Sequence, residues 1–324
     1  MLIKIILFFI LCYFFIITYY HFNYPEVRWN WDEINLDNFF FPEQFFWGTA
    51  TASHQVEGNC NNNWSEFEKG FTENRIPNII NNQQSGIACD HWNRYPEDIK
   101  LIKNLGVSHY RFSIEWSKIQ PDRDNFDLNA LDHYSKMIDM LIENNIIPVI
   151  TLYHFTHPIW FDDLGAFEKE ENIKIFILFC QRVFNEYSNK VNYWCTINEP
   201  GVVATQGYFT GIFPPGKKNI KLAAIVLKNL LRAHVEVYNL IKKMKNGDKV
   251  KVGLVKNINQ FDPWRRWHLL DWLISSAVNH FFNDSTIEFL RTGIFKIRIP
   301  GLAWIYHENP TAIGSTDFLG LNYY

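Results

Sequence analysis

Polar side chains able to exchange protons or hydrogen-bond a ligand follow several apolar, extended runs of this sequence. The run VNYWCTI is the clearest case, because a carboxamide and a carboxyl, Asn198 and Glu199, come directly after it. A carboxyl can act as general acid or base, amides and imidazoles bind hydroxyl groups, and a guanidinium stabilises a carboxylate. The full set of such residues is His54, Gln55, Glu57, Arg111, Glu115, His154, Asn198, Glu199, Asn322 and Tyr324.

Each of these residues alone has an ordinary structural interpretation. Glu199 precedes Pro200 and could be an acid at the start of a helix, where the helix dipole favours negative charge. His154 alone is typical of a hydrogen-bonded core histidine, and Arg111 alone is typical of a salt-bridge partner. Their joint occurrence at the ends of extended runs favours one shared polar site over separate structural roles.

Helical and extended patterns alternate along the chain after residue 40 and predict the elements that must position these side chains. Predicted extended segments are Phe45–Gly48, Val107–Ile114, Ile146–Tyr153, Val191–Ile197, Lys249–Val255 and Phe318–Tyr323. Predicted helices are Tyr95–Asn104, Asn129–Asn145, Glu171–Tyr187, Leu222–Lys245 and Leu269–Arg291.

This alternation indicates βα units and a parallel sheet. A doubly wound nucleotide-binding sheet should carry a Gly-rich phosphate turn after its first strand, and the sequence has none. The alternative is a (β/α)8 barrel, in which functional groups lie at the C-terminal ends of the strands. We count about six strands, so we expect an α/β fold of TIM-barrel type that is truncated after about the sixth strand.

The first 24 residues differ in composition from the rest of the chain. Lys4 precedes an apolar run from Ile5 to about Tyr20, which is adequate for a tilted membrane span, and no small-x-small cleavage site follows it. An uncleaved signal anchor is favoured over a cleaved signal peptide and over a buried helix. We expect a membrane segment at 1–24, a linker at 25–40 and an extracytoplasmic, incomplete barrel domain at 41–324.

Charge and cysteine content argue against several other classes of protein. The formal net charge is −3, which gives no electrostatic reason to expect nucleic acid as a partner. The five cysteines form no C-x-x-C pair, which argues against a zinc site or a disulfide framework, although Cys60 and Cys89 could pair in an exported domain. No metal or cofactor is expected.

Five segments contain most of these strand-end residues. They are FPEQFFWGTATASHQVEG (Phe41–Gly58), HYRFSIEWSKIQP (His109–Pro121), LYHFTHPIWF (Leu152–Phe161), CTINEP (Cys195–Pro200) and DFLGLNYY (Asp317–Tyr324). In order and separation they resemble the signatures of glycoside hydrolase family 1. The resemblance implies an eight-stranded (β/α) barrel that hydrolyses β-glycosides with retention of configuration. Such enzymes use two carboxyl groups about 5 Å apart, one as acid/base and one as nucleophile.

The resemblance also implies roles for the sugar-binding side of the site. Glu199 is the acid/base, and Asn198 holds the 2-hydroxyl of the sugar. Gln55 and His154 bind other hydroxyls of the terminal sugar, and Trp160 lines the leaving-group side.

Three further residues are implied to orient the nucleophile, and one position departs from the family pattern. The orienting residues are Arg111, Asn322 and Tyr324. Phe155 stands where the family often has Trp, which keeps an apolar face but removes an indole N–H donor.

The nucleophile that the resemblance implies is a Glu on the seventh strand, in a Thr-Glu-Asn-Gly context that this sequence does not contain. The segment Phe71–Arg75 (FTENR) lacks the Gly and lies in an early loop, and Glu57 and Glu115 fall where the family has structural residues. The sequence ends as its sixth strand finishes, so we expect open sheet edges. A split gene or a degenerate product is favoured over a second chain that completes the barrel.

The leading functional hypothesis is therefore a retaining β-glycosidase that acts on β-glucosides or oligosaccharides, with the activity of this chain alone left open. The alternative is a non-catalytic sugar-binding or degenerate membrane-anchored protein. A metal- or nucleotide-dependent enzyme is disfavoured, because neither metal-ligand spacing nor a phosphate loop is present. Glucose, galactose and 6-phospho sugars all remain open as substrates.

Overall fold

The computed structural model describes residues 1–26, 30–35, 37, 40–72 and 74–324. The predicted linker at 25–40 lies partly outside the described residues, and so does Glu73 of the FTENR segment. The chain divides into two compact units. The smaller unit comprises Met1–Phe45 and Asn259–Asp284, and the larger comprises Phe46–Ile258 and Ser285–Tyr324.

The larger unit contains the strands of the described chain. They are β1 (Gly48–Ala50), β2 (His109–Ser113), β3 (Ile147–Tyr153), β4 (Tyr193–Asn198), β5 (Lys251–Asn257), β6 (Ile294–Ile299), β7 (Ala303–Glu308) and β8 (Phe318–Asn322). Six of them form a parallel sheet in the order β1-β2-β3-β4-β5-β8. This is the order of consecutive strands in a (β/α)8 barrel, so the predicted fold class, with about six barrel strands, is confirmed.

The register of this sheet places the predicted site residues at one edge. Arg111 pairs with Ala50 on β1 and with Val149 on β3. Between β4 and β5 the register shifts after Cys195, and Asn198 then pairs with Val255. Such irregularities change the direction of the side chains that follow them. The shift therefore affects the orientation of the residues at the C-terminal end of β4.

Strands β3 and β4 are almost entirely buried, as expected for parallel strands covered on both faces. The helices among the described residues are α1 (Leu2–Asn23), α2 (Ser53–Val56), α3 (Asn63–Lys69), α4 (His91–Leu105), α5 (Trp116–Ile119), α6 (Leu128–Glu143), α7 (Ile159–Asp163), α8 (Ile173–Tyr187), α9 (Pro200–Val202), α10 (Ile220–Lys243), α11 (Leu269–Asn279) and α12 (Ser285–Thr292).

The long helices of the barrel follow the predicted pattern and have identifiable ends. Helix α6 begins after Asp127, whose carboxylate accepts hydrogen bonds from the backbone N–H groups of Asn129 and Ala130. Helix α4 ends at Gly106, whose φ of 78° is the left-handed conformation that glycine adopts without strain. The predicted helices Tyr95–Asn104 and Asn129–Asn145 are therefore confirmed, each with ends shifted by a few residues.

The predicted helix Leu269–Arg291 is not continuous. A π-helical turn at His280–Asp284 separates α11 from α12. In this turn the Asn283 side chain donates to the Asn279 side chain at 2.7 Å and to the Asn259 carbonyl at 2.6 Å. Side-chain amides that bond locally compete with regular helical geometry, which explains the interruption.

The antiparallel hairpin of β6 and β7 was missed in the sequence. Its buried and exposed residues alternate, as in IFKIRI, and Gly301 in the connecting turn has a φ of 72°. A Pro300–Gly301 dipeptide between alternating runs is a hairpin signal that a search for helical spacing overlooks.

The smaller unit contains α1 and α11, which pack through aromatic side chains. The Tyr20 and Trp272 rings stack with centroids 5.2 Å apart, and the Tyr13 hydroxyl donates to the Trp267 carbonyl at 2.9 Å. Helix α1 is long and apolar enough to cross a membrane.

Candidate active site

A continuous hydrogen-bonded network joins polar side chains at the C-terminal edge of the parallel sheet. Arg111 donates to the Thr151 hydroxyl at 2.9 Å and to the Asn198 amide oxygen at 2.6 Å. The Asn322 amide donates to the same Asn198 oxygen at 3.3 Å and to a Glu199 carboxyl oxygen at 2.6 Å. Side chains from β2, β3, β4 and β8 thus meet at one place, as the strand-end pattern predicts.

Glu199 lies at the turn where β4 passes into α9. Its backbone is left-handed, with a φ of 47°, and its N–H donates to the Val255 carbonyl at 2.7 Å. Its own carbonyl accepts from the Val202 N–H at 2.9 Å. A non-glycine residue in this conformation is held there by its surroundings, which is common where a side chain must be aimed.

The side chain of Glu199 does not cap the helix that follows it, although its backbone stands at the N-cap position. The carboxyl instead accepts the hydrogen bond from Asn322 and is only 5% exposed. The interpretation of Glu199 as a simple helix-start acid is therefore weaker than its interpretation as part of the strand-end network.

His154 follows β3 as a neutral imidazole with spare hydrogen-bonding capacity. Burial lowers its pKa to about 3, with the nearby positive charge of Arg111 as a second cause. Its Nδ1 atom is buried and makes no hydrogen bond to the described residues. A ligand hydroxyl is a suitable partner for such an atom, because a buried polar atom left unpaired is costly.

Tyr324 lies close enough to the network for the charges of Glu199 and Arg111 to affect the pKa of its phenol. The pKa of the Tyr324 phenol is raised by partial desolvation and by the Glu199 carboxylate, while Arg111 acts in the opposite direction. The side chain is largely exposed. It therefore borders the network rather than belonging to its hydrogen-bonded core.

Two further predicted residues, like His154 and Tyr324, make no hydrogen bond to this network. Gln55 lies in α2 with an exposed side chain that has no hydrogen-bond partner among the described residues. Trp160 lies in α7, where its indole N–H donates to the Gln120 carbonyl at 3.1 Å and its ring meets Trp116 edge-on. Their assignment to the sugar and leaving-group sides stays a prediction.

The carboxyls considered as substitute nucleophiles have different surroundings from Glu199. Glu115 is completely buried and accepts hydrogen bonds from four residues, Ser53, Asn62, Ser117 and Thr156. Glu57 is buried against Tyr134, whose hydroxyl donates to it at 2.6 Å, and burial raises its pKa to about 8. The sequence patterns did not reveal the donors around Glu115, because they come from segments far apart in the chain.

Within the described residues, no group of three or more His, Cys, Asp or Glu side chains could hold a metal ion. All five cysteines are free, so the pairing of Cys60 with Cys89 that an exported domain would allow is not formed.

A parallel barrel sheet whose strand ends join a buried carboxyl to amide and guanidinium groups has the arrangement of active sites at the C-terminal face of (β/α)8 enzymes. The family model described as "Glycosyl hydrolase family 1" matches residues 38–324. This chain belongs to that family.

Individual relatives agree with the family match. The chain is 34% identical over 297 residues to a 1,4-beta-D-glucan glucohydrolase of Thermotoga neapolitana, covering 88% of this chain and 68% of the relative. It is 37% identical over 226 residues to Beta-glucosidase A of Thermotoga maritima, covering 69% and 50%. It is 36% identical over 312 residues to the Lactase/phlorizin hydrolase of Rattus norvegicus, covering 87% and 16%.

Solved structures give the same result. A beta-glycosidase from Pyrococcus horikoshii superposes with a TM-score of 0.76 at 35% identity, covering 87% of this chain and 62% of that one. The beta-glucosidase from Thermotoga maritima in complex with glucoimidazole superposes with a TM-score of 0.75 at 30% identity, covering 87% and 66%. The chain thus spans about two thirds of the length of these solved relatives.

Proposed function

We propose that this chain carries the acid/base half of a retaining β-glycosidase site that acts on β-glucosides. The observation that supports this most strongly is the buried Glu199 carboxyl at the end of β4, hydrogen-bonded by Asn322 and adjacent to Asn198. Several relatives bear the names of β-glucosidases and a glucan glucohydrolase, which favours β-glucoside-like substrates over other glycosides.

In the proposed mechanism, Glu199 protonates the glycosidic oxygen as the bond to the anomeric carbon breaks. It then removes a proton from the water that hydrolyses the glycosyl-enzyme intermediate, as microscopic reversibility requires. The Asn322 amide keeps the Glu199 carboxyl in one orientation through both steps. The nucleophile of the family is on its seventh strand, which follows the segment that corresponds to β8.

The remaining residues of the site bind and orient. Asn198 holds the 2-hydroxyl, an interaction that strengthens in the transition state. The neutral His154 and Gln55 bind further hydroxyls of the terminal sugar, and Trp160 lines the leaving-group side. Arg111 and Tyr324 face the nucleophile, and the Arg111 guanidinium stabilises its negative charge. The Asn322 amide, expected to orient the nucleophile with them, donates instead to Glu199 and Asn198.

The test is the substitution Glu199→Gln, which keeps size and removes the transferable proton. In a barrel completed with the family's seventh-strand glutamate, we expect hydrolysis of p-nitrophenyl β-glucoside to fall by about 10²- to 10⁴-fold, the usual contribution of a general acid/base. Glu143→Gln, an exposed glutamate at the end of α6, is the matched control and should leave the rate unchanged. Hydrolysis at the wild-type rate by the Glu199→Gln variant would contradict the assignment.

We also propose that α1 anchors the protein in a membrane, as the segment predicted at residues 1–24, with the barrel domain from residue 41 outside the cytoplasm. The helix has 22 residues, about 33 Å of helical rise, which matches the hydrocarbon thickness of a bilayer. Its side chains are mostly exposed, unlike those of a core helix. Resistance of the full chain to extraction by alkaline carbonate supports the anchor, and complete release by carbonate would contradict it.

A further inference from the structure

The buried carboxylate of Glu115 gathers hydrogen bonds from three separate loops. One of its oxygens accepts from the Ser53 hydroxyl at 2.9 Å and from the Thr156 hydroxyl at 3.0 Å. The other accepts from the Asn62 amide at 3.2 Å and from the Ser117 hydroxyl at 2.7 Å and backbone N–H at 3.3 Å. Glu115 with these four partners is called the Glu115 hub below.

The members of the hub lie in the segments that follow β1, β2 and β3, which are consecutive strands of the barrel sheet. Ser53 follows β1 and stands two residues before Gln55. Thr156 follows β3 and stands two residues after His154. The carboxylate therefore ties together the two loops that carry the proposed hydroxyl-binding side chains.

A capping role for α5 does not account for this arrangement. Glu115 is the N-cap residue of that helix and accepts the Ser117 N–H, but a cap needs only one carboxyl oxygen. The second oxygen is occupied wholly by Ser53 and Thr156, which belong to other loops.

The chemistry of the hub suits a rigid junction. Among the described ion pairs none involves Glu115, so its charge is balanced by directed hydrogen bonds and not by a mobile cationic side chain. A carboxylate only accepts, and about four lone-pair sites let it hold several donors at fixed angles. Hydrogen bonds to a charged acceptor are also stronger than neutral ones.

We infer that Glu115 is a positioning residue of the sugar site, which sets the placement of Gln55 relative to His154 through Ser53 and Thr156. This inference rests on the proposed function for the identity of the ligand. The hydrogen bonds themselves are independent of that proposal.

Hydrogen exchange tests the junction without any ligand. In Glu115→Ala, we expect amide exchange to become roughly tenfold faster or more at both Gln55 and His157, because each loop loses a hydrogen bond to a charged group. Amides of β4, which open only with the whole fold, should accelerate by no more than the loss of global stability requires and should still exchange more slowly than those of both loops. Acceleration of only one loop, or of neither, would overturn the inference.

Two further variants keep the test sharp if Glu115→Ala is poorly folded. In Glu115→Gln the amide oxygen can accept from Asn62 while its NH₂ donates to the hydroxyls of Ser53 and Thr156, so most of the protection should return. Thr156→Val removes one hydroxyl at nearly constant shape. It should speed amide exchange at His157. It should speed exchange at Gln55 more weakly, because the Glu115 oxygen that accepts from Ser53 loses its second donor.

Glu57→Gln is the matched control, because Glu57 is also a buried glutamate near β1 but bonds to Tyr134 on α6. It should leave the relative exchange rates of the two loops unchanged. A Glu57→Gln variant that reproduces the pattern of Glu115→Ala would overturn a specific role for the hub.

Binding of glucoimidazole, followed by calorimetry on the full chain, tests the functional consequence. Glu115→Ala should weaken binding roughly tenfold in the wild-type background, and much less in a Gln55→Ala/His154→Ala background, because it acts through those residues. An equal loss in both backgrounds would overturn the positioning role. Absence of binding by the wild-type chain would contradict the proposed function, and the exchange data would still decide whether Glu115 couples the loops.

Discussion

Two buried glutamates at the ends of barrel strands have opposite surroundings. Glu115, after β2, is 0% exposed and accepts five hydrogen bonds. Glu199, after β4, is 5% exposed and accepts one side-chain hydrogen bond from the described residues, that of Asn322. Both follow strands of one sheet, so the sheet alone does not determine which of them could transfer a proton.

The difference lies in the acceptor capacity that each carboxyl retains. A carboxylate offers about four lone-pair sites, and in Glu115 the protein itself occupies them. Glu199 keeps unused capacity, and its side chain makes no capping hydrogen bond to the helix that follows. A saturated carboxylate holds structure together, whereas an unsaturated one beside polar neighbours can exchange a proton with a ligand.

The largest expected effect on stability distinguishes these two residues. Glu115→Ala should lower the free energy of unfolding by about 3 kcal/mol, because several buried donors lose their acceptor. Glu199→Ala should change it by less than about 1 kcal/mol, since only the Asn322 hydrogen bond is lost. Urea unfolding followed by circular dichroism measures both values, and equal losses would remove the distinction.

A third buried glutamate gives a pH-dependent effect. The pKa of Glu57 is raised from 4.5 to about 8 mainly by burial, so its contribution to stability is complete below pH 4.5 and is lost as the pH rises through about 8. Glu57→Gln, which stays neutral, should therefore gain on the order of 3 kcal/mol in free energy of unfolding relative to wild type between pH 5 and pH 8, as measured by urea unfolding. A difference between the two proteins that does not vary with pH would contradict this account of Glu57.

A smaller effect is expected at Asn322, which hydrogen-bonds to the Glu199 carboxyl. In the barrel completed with the seventh-strand nucleophile, Asn322→Ala should lower kcat/KM for p-nitrophenyl β-glucoside about tenfold, the value of one hydrogen bond to a charged group. Asn129→Ala, at an exposed position of α6, is the control. A larger loss than that of Glu199→Gln would assign the main role to Asn322 and not to the glutamate.

Most of the barrel and of the strand-end network could be predicted from the sequence. Apolar residues that alternate or run continuously in the sequence predict β2 to β5 and β8. The residues toward the C-terminal ends of those runs include Arg111, Asn198, Glu199 and Asn322. Parallel strands bring their C-terminal ends to one edge, so adjacency in space follows from position along each strand.

The Glu115 hub and the split of the last long helix could not be predicted in the same way. Hydrogen bonds between Ser53, Glu115 and Thr156 join loops whose geometry has no periodic signal in the sequence. The π-helical turn depends on where the Asn279 and Asn283 side chains point, which composition does not determine. Gln55 and Trp160 were expected beside the sugar, and their roles remain predictions.

The most direct test of the central claim, that Glu199 is the acid/base, compares two leaving groups in one variant. A 2,4-dinitrophenolate leaves without protonation, whereas methanol requires a proton from the enzyme. In a barrel that includes the seventh-strand nucleophile, Glu199→Gln should therefore form the glycosyl-enzyme on that nucleophile from 2,4-dinitrophenyl β-glucoside at close to the wild-type rate. It should cleave methyl β-glucoside about 10²- to 10⁴-fold more slowly. An equal loss with both substrates would contradict the acid/base role of Glu199.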